Sequence, residues 1–147
     1  MKIRPYRDED WSEWLRMNVA LFPEYAAEEL AKGMQEFHAR SDADVFVVDR
    51  GDGSLAGFVE AGSRPYADGC DTSPVGYVEA WYIDDDVRRQ GYGRALLEAA
   101  EDWARGQGYR EMASDALLDN HISHAAHRAS GYEEVERIVQ FRKGLTR

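Results

Sequence analysis

Two glycines and three arginines occur together in residues 88–94, in the order Arg88, Arg89, Gln90, Gly91, Tyr92, Gly93 and Arg94. An apolar, aromatic run at 77–83 comes before them and predicts a strand, and the pattern at 95–104 predicts a helix. Glycines let the backbone approach a ligand closely, and a helix start offers unpaired N–H groups and a positive dipole end. The segment therefore predicts a cradle for an anion such as a pyrophosphate.

The spacing within this turn excludes two well-known phosphate loops. No Gly-Lys-Ser/Thr follows, so it is not a Walker loop, and the third glycine of a dinucleotide fingerprint is missing after Gly91 and Gly93. Glycine-rich turns and paired arginines are also common on ordinary surfaces. By itself, the turn leaves the ligand open.

A second candidate feature is acidic. Glu79 lies inside the apolar run at 77–83, where an unpaired carboxylate is costly, and a bound polyamine would provide its partner. Asp115 ends the next predicted strand. The chain has 28 acidic and 18 basic residues and a net charge of −10, which argues against nucleic acid as a partner.

Length and patterning predict one domain over residues 1–147. Periodicity and turn residues define its expected elements. These are strands at 2–5, 45–48, 55–61, 77–83 and 109–114, helices at 11–21, 26–39, 95–104 and 120–130, and one or two last strands within 132–143.

The composition also bears on membrane association, cellular compartment and metal binding. No apolar run is long enough to cross a membrane, and the N-terminus has no signal-peptide core, so no membrane partner is expected. A lone Cys70 allows no internal disulfide, which favours the cytoplasm. The histidines lack metal-like partners, and no metal is expected.

The places of Arg88, Gly91 and Gly93 resemble the acyl-CoA pyrophosphate loop of the GNAT N-acetyltransferase superfamily. The order of predicted elements is similar to the GNAT fold along essentially the whole chain. This resemblance implies an α/β (α+β) fold with a mixed central sheet of six to seven strands and about four helices. Its splayed central strands would be 77–83 and 109–114, with the acyl-CoA chain between them.

More specific segments resemble one GNAT subgroup, the aminoglycoside 6'-N-acetyltransferases, which are dimeric antibiotic-modifying enzymes. The string Glu-Met-Ala-Ser-Asp at 111–115 is the most specific, and 68–75, 120–123 and 131–137 add to it. The resemblance implies acetyl transfer from acetyl-CoA to the 6'-amine of a cationic aminoglycoside by a homodimer.

The same resemblance assigns roles to individual residues. The expected cofactor contacts are Trp81, Tyr82, Ile83, Arg88, Arg89, Gln90, Gly91, Tyr92, Gly93, Arg94 and Asn120. The expected substrate contacts are Phe22, Tyr66, Glu79, Asp115 and Glu136. The catalytic candidates are Glu79, Asp115 and His127.

Two positions depart from related patterns. Phe22 stands where relatives often carry Trp, which keeps an apolar wall without the indole donor. His127 stands where many GNAT enzymes place a Tyr as general acid for the leaving thiolate. A His there either donates to sulfur or packs on a helix that faces the cofactor, and the sequence favours neither.

The chemistry implied is direct attack of a neutral amine on the acetyl carbonyl, with a backbone N–H of the 77–83 strand polarising that carbonyl. No Cys or Ser nucleophile with an adjacent base is evident, which argues against an acyl-enzyme. Two alternatives stay open. One is a GNAT enzyme that acetylates another amine, such as a polyamine or a protein amine, and the other is a non-catalytic acyl-CoA-binding module.

Overall fold

The computed structural model describes residues 1–146. Its strands and helices alternate along most of the chain. In order they are β1 (Lys2–Pro5), α1 (Trp11–Leu21), α2 (Ala27–His38), β2 (Ala43–Asp49), β3 (Leu55–Arg64), β4 (Val75–Ile83), α3 (Tyr92–Gly106), β5 (Met112–Ser114) and α4 (His121–Ala129).

The strands form one mixed sheet in the spatial order β1-β2-β3-β4-β5. The first four strands pair antiparallel, whereas β4 and β5 run parallel. The expected mixed sheet and four helices are confirmed. The expected count of six to seven strands is wrong, because the sheet within residues 1–146 has five.

The missing strands are those expected within 132–143. This segment, with the residues up to 146, is irregular, and Val139 and Phe141 are 77% and 92% exposed. Alternating apolar and charged residues fit a strand, but a strand also needs a neighbouring backbone to complete its hydrogen bonds. The described part of the chain supplies no such ladder for this tail.

Helices cover both faces of the sheet. On one face, α1 and α2 enclose a cluster that contains Trp14, Met34 and Phe58. On the other, α3 buries Leu96 and Leu97 against the sheet. Side chains of successive strand residues alternate between these two layers, so each central strand can supply apolar residues to both.

The helix after the glycine turn begins earlier than its apolar pattern predicts. It starts at Tyr92 rather than at 95, so Gly93 and Arg94 belong to its first turn. The strand expected at 109–114 is shorter and begins only at Met112, and Tyr109 instead donates its backbone N–H to the Ala104 carbonyl at 3.0 Å.

None of the helices within residues 1–146 is long and apolar enough to cross a bilayer. The single-domain assignment over 1–147 stays a prediction.

Candidate active site

The central feature of the site is the point where β4 and β5 separate. Their parallel pairing consists of three rungs, and the last joins Val78 to Ser114. Glu79 and Asp115 are the next residues on the two strands. Both carboxylates therefore stand at the start of the gap that the separation opens, in agreement with the expected splay.

A β-bulge lies at the same point. Across β3 and β4, Glu60 is opposite Ala80 and Ala61 is opposite Val78, so Glu79 is the extra residue. A bulge leaves its extra residue outside the regular ladder and increases the local bend and twist. The bulge thus accounts for two things at once, the divergence of β4 and the unusual position of a carboxylate inside an apolar strand.

The carboxylate of Glu79 already has a cationic partner within the chain. Arg64, the last residue of β3, places Nη2 at 2.5 Å from Oε1 and 3.2 Å from Oε2 of Glu79. Arg64 thus supplies a partner for this carboxylate within the chain, and the expected pairing of Glu79 with a bound polyamine stays a prediction. The long Arg side chain reaches Glu79 across 15 positions of sequence.

Arg64 also connects the two acidic candidates. Its guanidinium carbon lies 3.5 Å from the centre of the Tyr77 ring, a cation–π contact. The Tyr77 hydroxyl donates to Oδ2 of Asp115 at 2.5 Å. Burial and this hydrogen bond raise the pKa of Tyr77. Arg64, Tyr77, Glu79 and Asp115 are hereafter called the mouth cluster.

A third carboxylate, Glu60, was missed by sequence analysis. It is buried in β3 and accepts hydrogen bonds from Trp14 Nε1 at 3.1 Å and Asn18 Nδ2 at 3.3 Å. Burial raises its pKa to about 7, against these two hydrogen bonds. The signal that singled out Glu79, an acid inside an apolar strand, would have found Glu60 as well.

The glycine turn has the backbone of an anion cradle. Gly91 precedes α3 with φ at +89°, and Arg89 adopts φ +63°, which is unusual for a residue with a side chain. Backbone N–H groups in such left-handed turns converge, and the helix start adds its dipole. The predicted strand-to-helix turn is therefore present, and its binding of an anion stays a prediction.

The three arginines of the turn differ in how free their charges are. Arg88 pairs with Asp85 at 2.8 Å, and Arg94 pairs loosely with Glu98 at 3.4 Å. Within residues 1–146, Arg89 has no carboxylate partner. The expected concentration of positive charge is thus partly offset by local acids, and Arg89 is the cation most available to a ligand.

The edge of β4 beyond the separation is open toward β5. Trp81, Tyr82 and Ile83 pair with β3 on one side, and no strand within residues 1–146 pairs with them on the other. Trp81 Nε1 donates to the Gly93 carbonyl at 3.0 Å, which ties the strand to the first turn of α3. The open edge and the anion cradle are therefore held in a fixed relation.

His127 lies on α4 beside this edge, with its ring 5.1 Å from that of Trp81. Its Nδ1 is 2.7 Å from the Ser123 carbonyl, an acceptor, so Nδ1 carries the proton. In the neutral ring, Nε2 then accepts from the Ser114 hydroxyl at 2.8 Å. This arrangement favours the packing interpretation, and the general-acid role stays a prediction.

Asn120 caps α4. Its side-chain oxygen accepts from the Ser123 backbone N–H at 3.1 Å, as N-cap residues do. The side-chain oxygen of Asn120 is thereby used in capping the helix. The predicted contact with a cofactor would have to use the remaining N–H groups of that amide.

A broad cleft of about 1160 Å³ gathers most of the predicted acceptor contacts. Among its lining residues are Arg64, Tyr66, Tyr77, Asp115, His127 and Glu136. Phe22 lies elsewhere, at the end of α1, where it packs against the α1–α2 core cluster and meets Tyr25 edge to face. The structure thus groups four of the predicted site residues in one cleft and keeps Phe22 on the helical layer.

This arrangement combines an open strand edge, an anion cradle and two carboxylates at the strand separation. An extended chain that ends in an anionic group fits along the edge and into the cradle. A cationic group fits the carboxylates. Together they favour a site for two substrates. One is an extended carrier whose anionic end lies in the cradle, and the other is a cation that meets the carrier's opposite end beside the carboxylates.

Comparison with known proteins assigns the class. Residues 6–132 match the family described as "Acetyltransferase (GNAT) family", and the chain belongs to this family.

Individual relatives agree closely. The chain is 40% identical over 146 residues to aminoglycoside N(6')-acetyltransferase type 1 of Klebsiella aerogenes, with 97% of this chain and 96% of the relative covered. It superposes on apo aminoglycoside 6'-N-acetyltransferase AAC(6')-IG from Acinetobacter haemolyticus with a TM-score of 0.92, 34% identity and coverage of 99% and 100%. AAC(6')-Iy in complex with the bisubstrate analogue CoA-S-monomethyl-acetylneamine gives a TM-score of 0.90 at 31% identity, with 97% of each chain covered.

Proposed function

We propose that this protein is an aminoglycoside 6'-N-acetyltransferase that transfers acetyl from acetyl-CoA to the 6'-amine of the drug and so confers resistance. The observation that carries the proposal is the position of Glu79 and Asp115 directly after the last β4–β5 rung. Ammonium groups of a polycation would meet two carboxylates there, beside an open strand edge. Relatives of the same enzyme class match nearly the whole chain at 34–40% identity.

Acetyl-CoA is the co-substrate that fits this chain, and it supplies the acetyl carbonyl carbon as electrophile. The open edge of Trp81, Tyr82 and Ile83 suits an extended pantetheine arm, which offers amide groups for strand-like pairing. The turn at Gly91 and the charge of Arg89 suit the pyrophosphate. The other residues of 88–94 and the free N–H groups of Asn120 are proposed to complete the cofactor contacts.

The chain acts mainly by positioning and by polarisation. A backbone N–H of the open β4 edge polarises the acetyl carbonyl. Glu79 accepts the proton of the incoming amine through a water. The amine nitrogen then forms the C–N bond as the C–S bond breaks and the sulfur leaves as thiolate. The thiolate takes up the proton that the nitrogen releases as it becomes an amide. Holding both reactants in one gap supplies much of the rate.

Acceptor recognition is assigned to the acidic and aromatic residues around the cleft. Asp115 and Glu136 provide carboxylates for further ammonium groups, and Tyr66 provides an apolar wall for the sugar rings. Phe22 is predicted from the sequence to do the same, but it packs against the α1–α2 core cluster and does not line this cleft. Tyr66 is 72% exposed, so its ring is accessible from solvent. Charge-assisted hydrogen bonds of this kind are the stronger ones available to a polar ligand.

A homodimer is also proposed, with the C-terminal tail at its interface. The tail exposes Val135, Ile138, Val139 and Phe141, although Val135 packs against Gly69. Monomers rarely leave so many apolar side chains exposed together. A second copy would cover them and complete the strand ladder that the tail lacks, and Glu136 would then lie near the interface.

A cytoplasmic setting remains part of the proposal. Its support is the single, free Cys70, since a secreted small domain commonly carries paired cysteines.

The deciding experiment measures release of CoA thiol with kanamycin or tobramycin as acceptor, alongside a polyamine and a lysine peptide. Turnover with the aminoglycosides and identification of a 6'-N-acetyl product would support the proposal. Turnover with only a polyamine or a peptide would favour the alternative acceptor, and acetyl-CoA binding without turnover would favour a binding module.

A further inference from the structure

We infer that Arg64 is a positioning residue that acts through Glu79 and keeps the site from holding the acceptor amine in its protonated form. The inference rests on the proposed function, because it concerns the amine that Glu79 receives. Arg64 bonds both oxygens of Glu79 and lines the same cleft as Asp115.

The reaction makes opposite demands on this site. Binding is strongest when the acceptor arrives as an ammonium ion beside carboxylates, but only the neutral amine can attack a carbonyl. A lone carboxylate stabilises the ammonium and raises its pKa, which lowers the fraction of nucleophile at neutral pH. A site with several acids therefore risks tight binding of an unreactive form.

Arg64 places a positive charge close enough to the acceptor amine to offset the negative charge of Glu79. A carboxylate offers about four acceptor directions, so an amine can bond Glu79 on the side that Arg64 leaves free. Two nitrogens that share one carboxylate lie roughly 4–6 Å apart. At that separation, the guanidinium repels an ammonium and favours the neutral amine.

The surroundings of Arg64 hold its charge in place. Burial disfavours the charged form, but the hydrogen bond and the charge of Glu79 outweigh it, and the pKa of Arg64 is raised. The other charged or titratable groups that face it are Tyr77 from β4, Asp115 after β5 and Arg40 before β2, while Glu60 acts more remotely through Glu79.

A competing interpretation is purely structural, in which Arg64 only fixes the Glu79 carboxylate. The two interpretations predict opposite changes in the KM of the acceptor when Arg64 is replaced. Loss of a merely structural contact would raise the KM of the acceptor. Loss of a compensating charge would lower that KM and move the pH profile.

The experiment compares wild type with Arg64→Gln, which keeps hydrogen-bond donors without charge, and Arg64→Lys, which keeps the charge. With kanamycin, R64Q should lower the acceptor KM roughly twofold to fivefold, the size of an exposed charge interaction. The acid limb of its kcat–pH profile should move upward by about one unit. R64K should restore the wild-type profile, and calorimetry should give equal acetyl-CoA affinities for all three proteins.

An unchanged acid limb or a raised acceptor KM in R64Q would overturn the inference. The proposed function would still stand in that case, provided that the wild type acetylates aminoglycosides. A wild type that acetylates no aminoglycoside would overturn the proposed function and this inference with it.

Discussion

The hydroxyl of Tyr77 donates to Asp115 at 2.5 Å, and the same ring lies under the guanidinium of Arg64. The Tyr77 side chain therefore contacts both Arg64 and Asp115 in the mouth cluster. Tyr77→Phe keeps the ring and removes only the donor to Asp115. Because the carboxylate is exposed and water can partly replace the donor, we expect the aminoglycoside KM to rise roughly threefold to tenfold. Steady-state kinetics with kanamycin is the measurement.

The matched control is Tyr77→Leu, which removes the ring beneath Arg64 as well. It should cost more than Tyr77→Phe, because the cation–π contact is also lost. Equal acceptor kinetics for wild type and Tyr77→Phe would show that the bond to Asp115 contributes nothing to recognition.

Gly91→Asp should weaken acetyl-CoA binding. The new carboxylate would stand beside the pyrophosphate at the start of α3 and repel it. No heavy atom lies within 4 Å of the position of an added Cβ, so the change meets no steric clash in the chain itself. Its backbone cost comes instead from φ at +89°. Isothermal titration with acetyl-CoA measures the effect.

Gly108→Asp is the control for that experiment. Gly108 has φ at +88° and equally open surroundings, but it lies in the turn after α3. An Asp at Gly108 therefore has the same backbone strain as an Asp at Gly91, but it does not lie at the proposed pyrophosphate site. A folded Gly91→Asp protein with the same affinity as Gly108→Asp would refute the assignment of the cradle.

Asp115→Asn and Glu79→Gln should each lower kcat/KM for kanamycin by roughly tenfold to a hundredfold, because each removes a charge-assisted contact. Asp115→Asn should leave acetyl-CoA affinity nearly intact. Glu79→Gln should lower kcat as well, because Glu79 is proposed to pass on the proton. Binding of the acceptor should also weaken as salt rises. Kinetics at two ionic strengths test these expectations, and wild-type kcat/KM in both variants would contradict them.

The strand, glycine turn and helix start that form the proposed anion cradle were predictable because their determinants are local. Glycine spacing, the apolar strand before it and the helix pattern after it all lie within 77–104. The same holds for Asp115, which follows a predicted strand directly. Local propensity and periodicity were enough to place both features at the right ends of their elements.

The partner of Glu79 was not predictable in this way. Arg64 reaches it only because β3 and β4 are antiparallel and a bulge shifts their register at this point. Sequence patterns do not reveal which residue a strand leaves unpaired. The same argument applies to the tail, whose alternation describes the two faces of a strand but cannot supply a neighbouring strand.

Glu60 predicts a pH dependence of stability with a definite sign. Its pKa is raised from 4.5 to about 7 in the folded protein, so the folded state holds a proton that the unfolded chain releases. The contribution of Glu60 to the unfolding free energy should therefore be fully present below pH 4.5 and fall by about 3 kcal/mol as pH rises from there through 7. Glu60→Gln should remove this decline in urea denaturation curves.

Glu13→Gln is the control of opposite sign. The hydrogen bond with Arg16 lowers the pKa of Glu13, although burial opposes it. Its stabilising contribution is present above the ordinary pKa of a Glu and is lost as pH falls. Removing Glu13 should therefore lower stability at neutral pH. A pH slope for Glu60→Gln that matched wild type would contradict the assignment.

The last prediction concerns the tail and the proposed dimer. Phe141 and Val139 are the most exposed apolar residues of the segment 132–143, at 92% and 77%. If a second copy covers them, Phe141→Asp should bury a charge in the interface and give a monomer at micromolar concentration, as measured by light scattering. Val19→Asp is the control, because Val19 is an exposed apolar residue on α1 and not part of the tail, and its change should leave the assembly unchanged. If Glu136 serves a pocket near that interface, the monomeric variant should also lose kcat/KM for kanamycin while it keeps its acetyl-CoA affinity. A wild type that is already monomeric would refute the dimer, and full activity in monomeric Phe141→Asp would separate the active site from the interface.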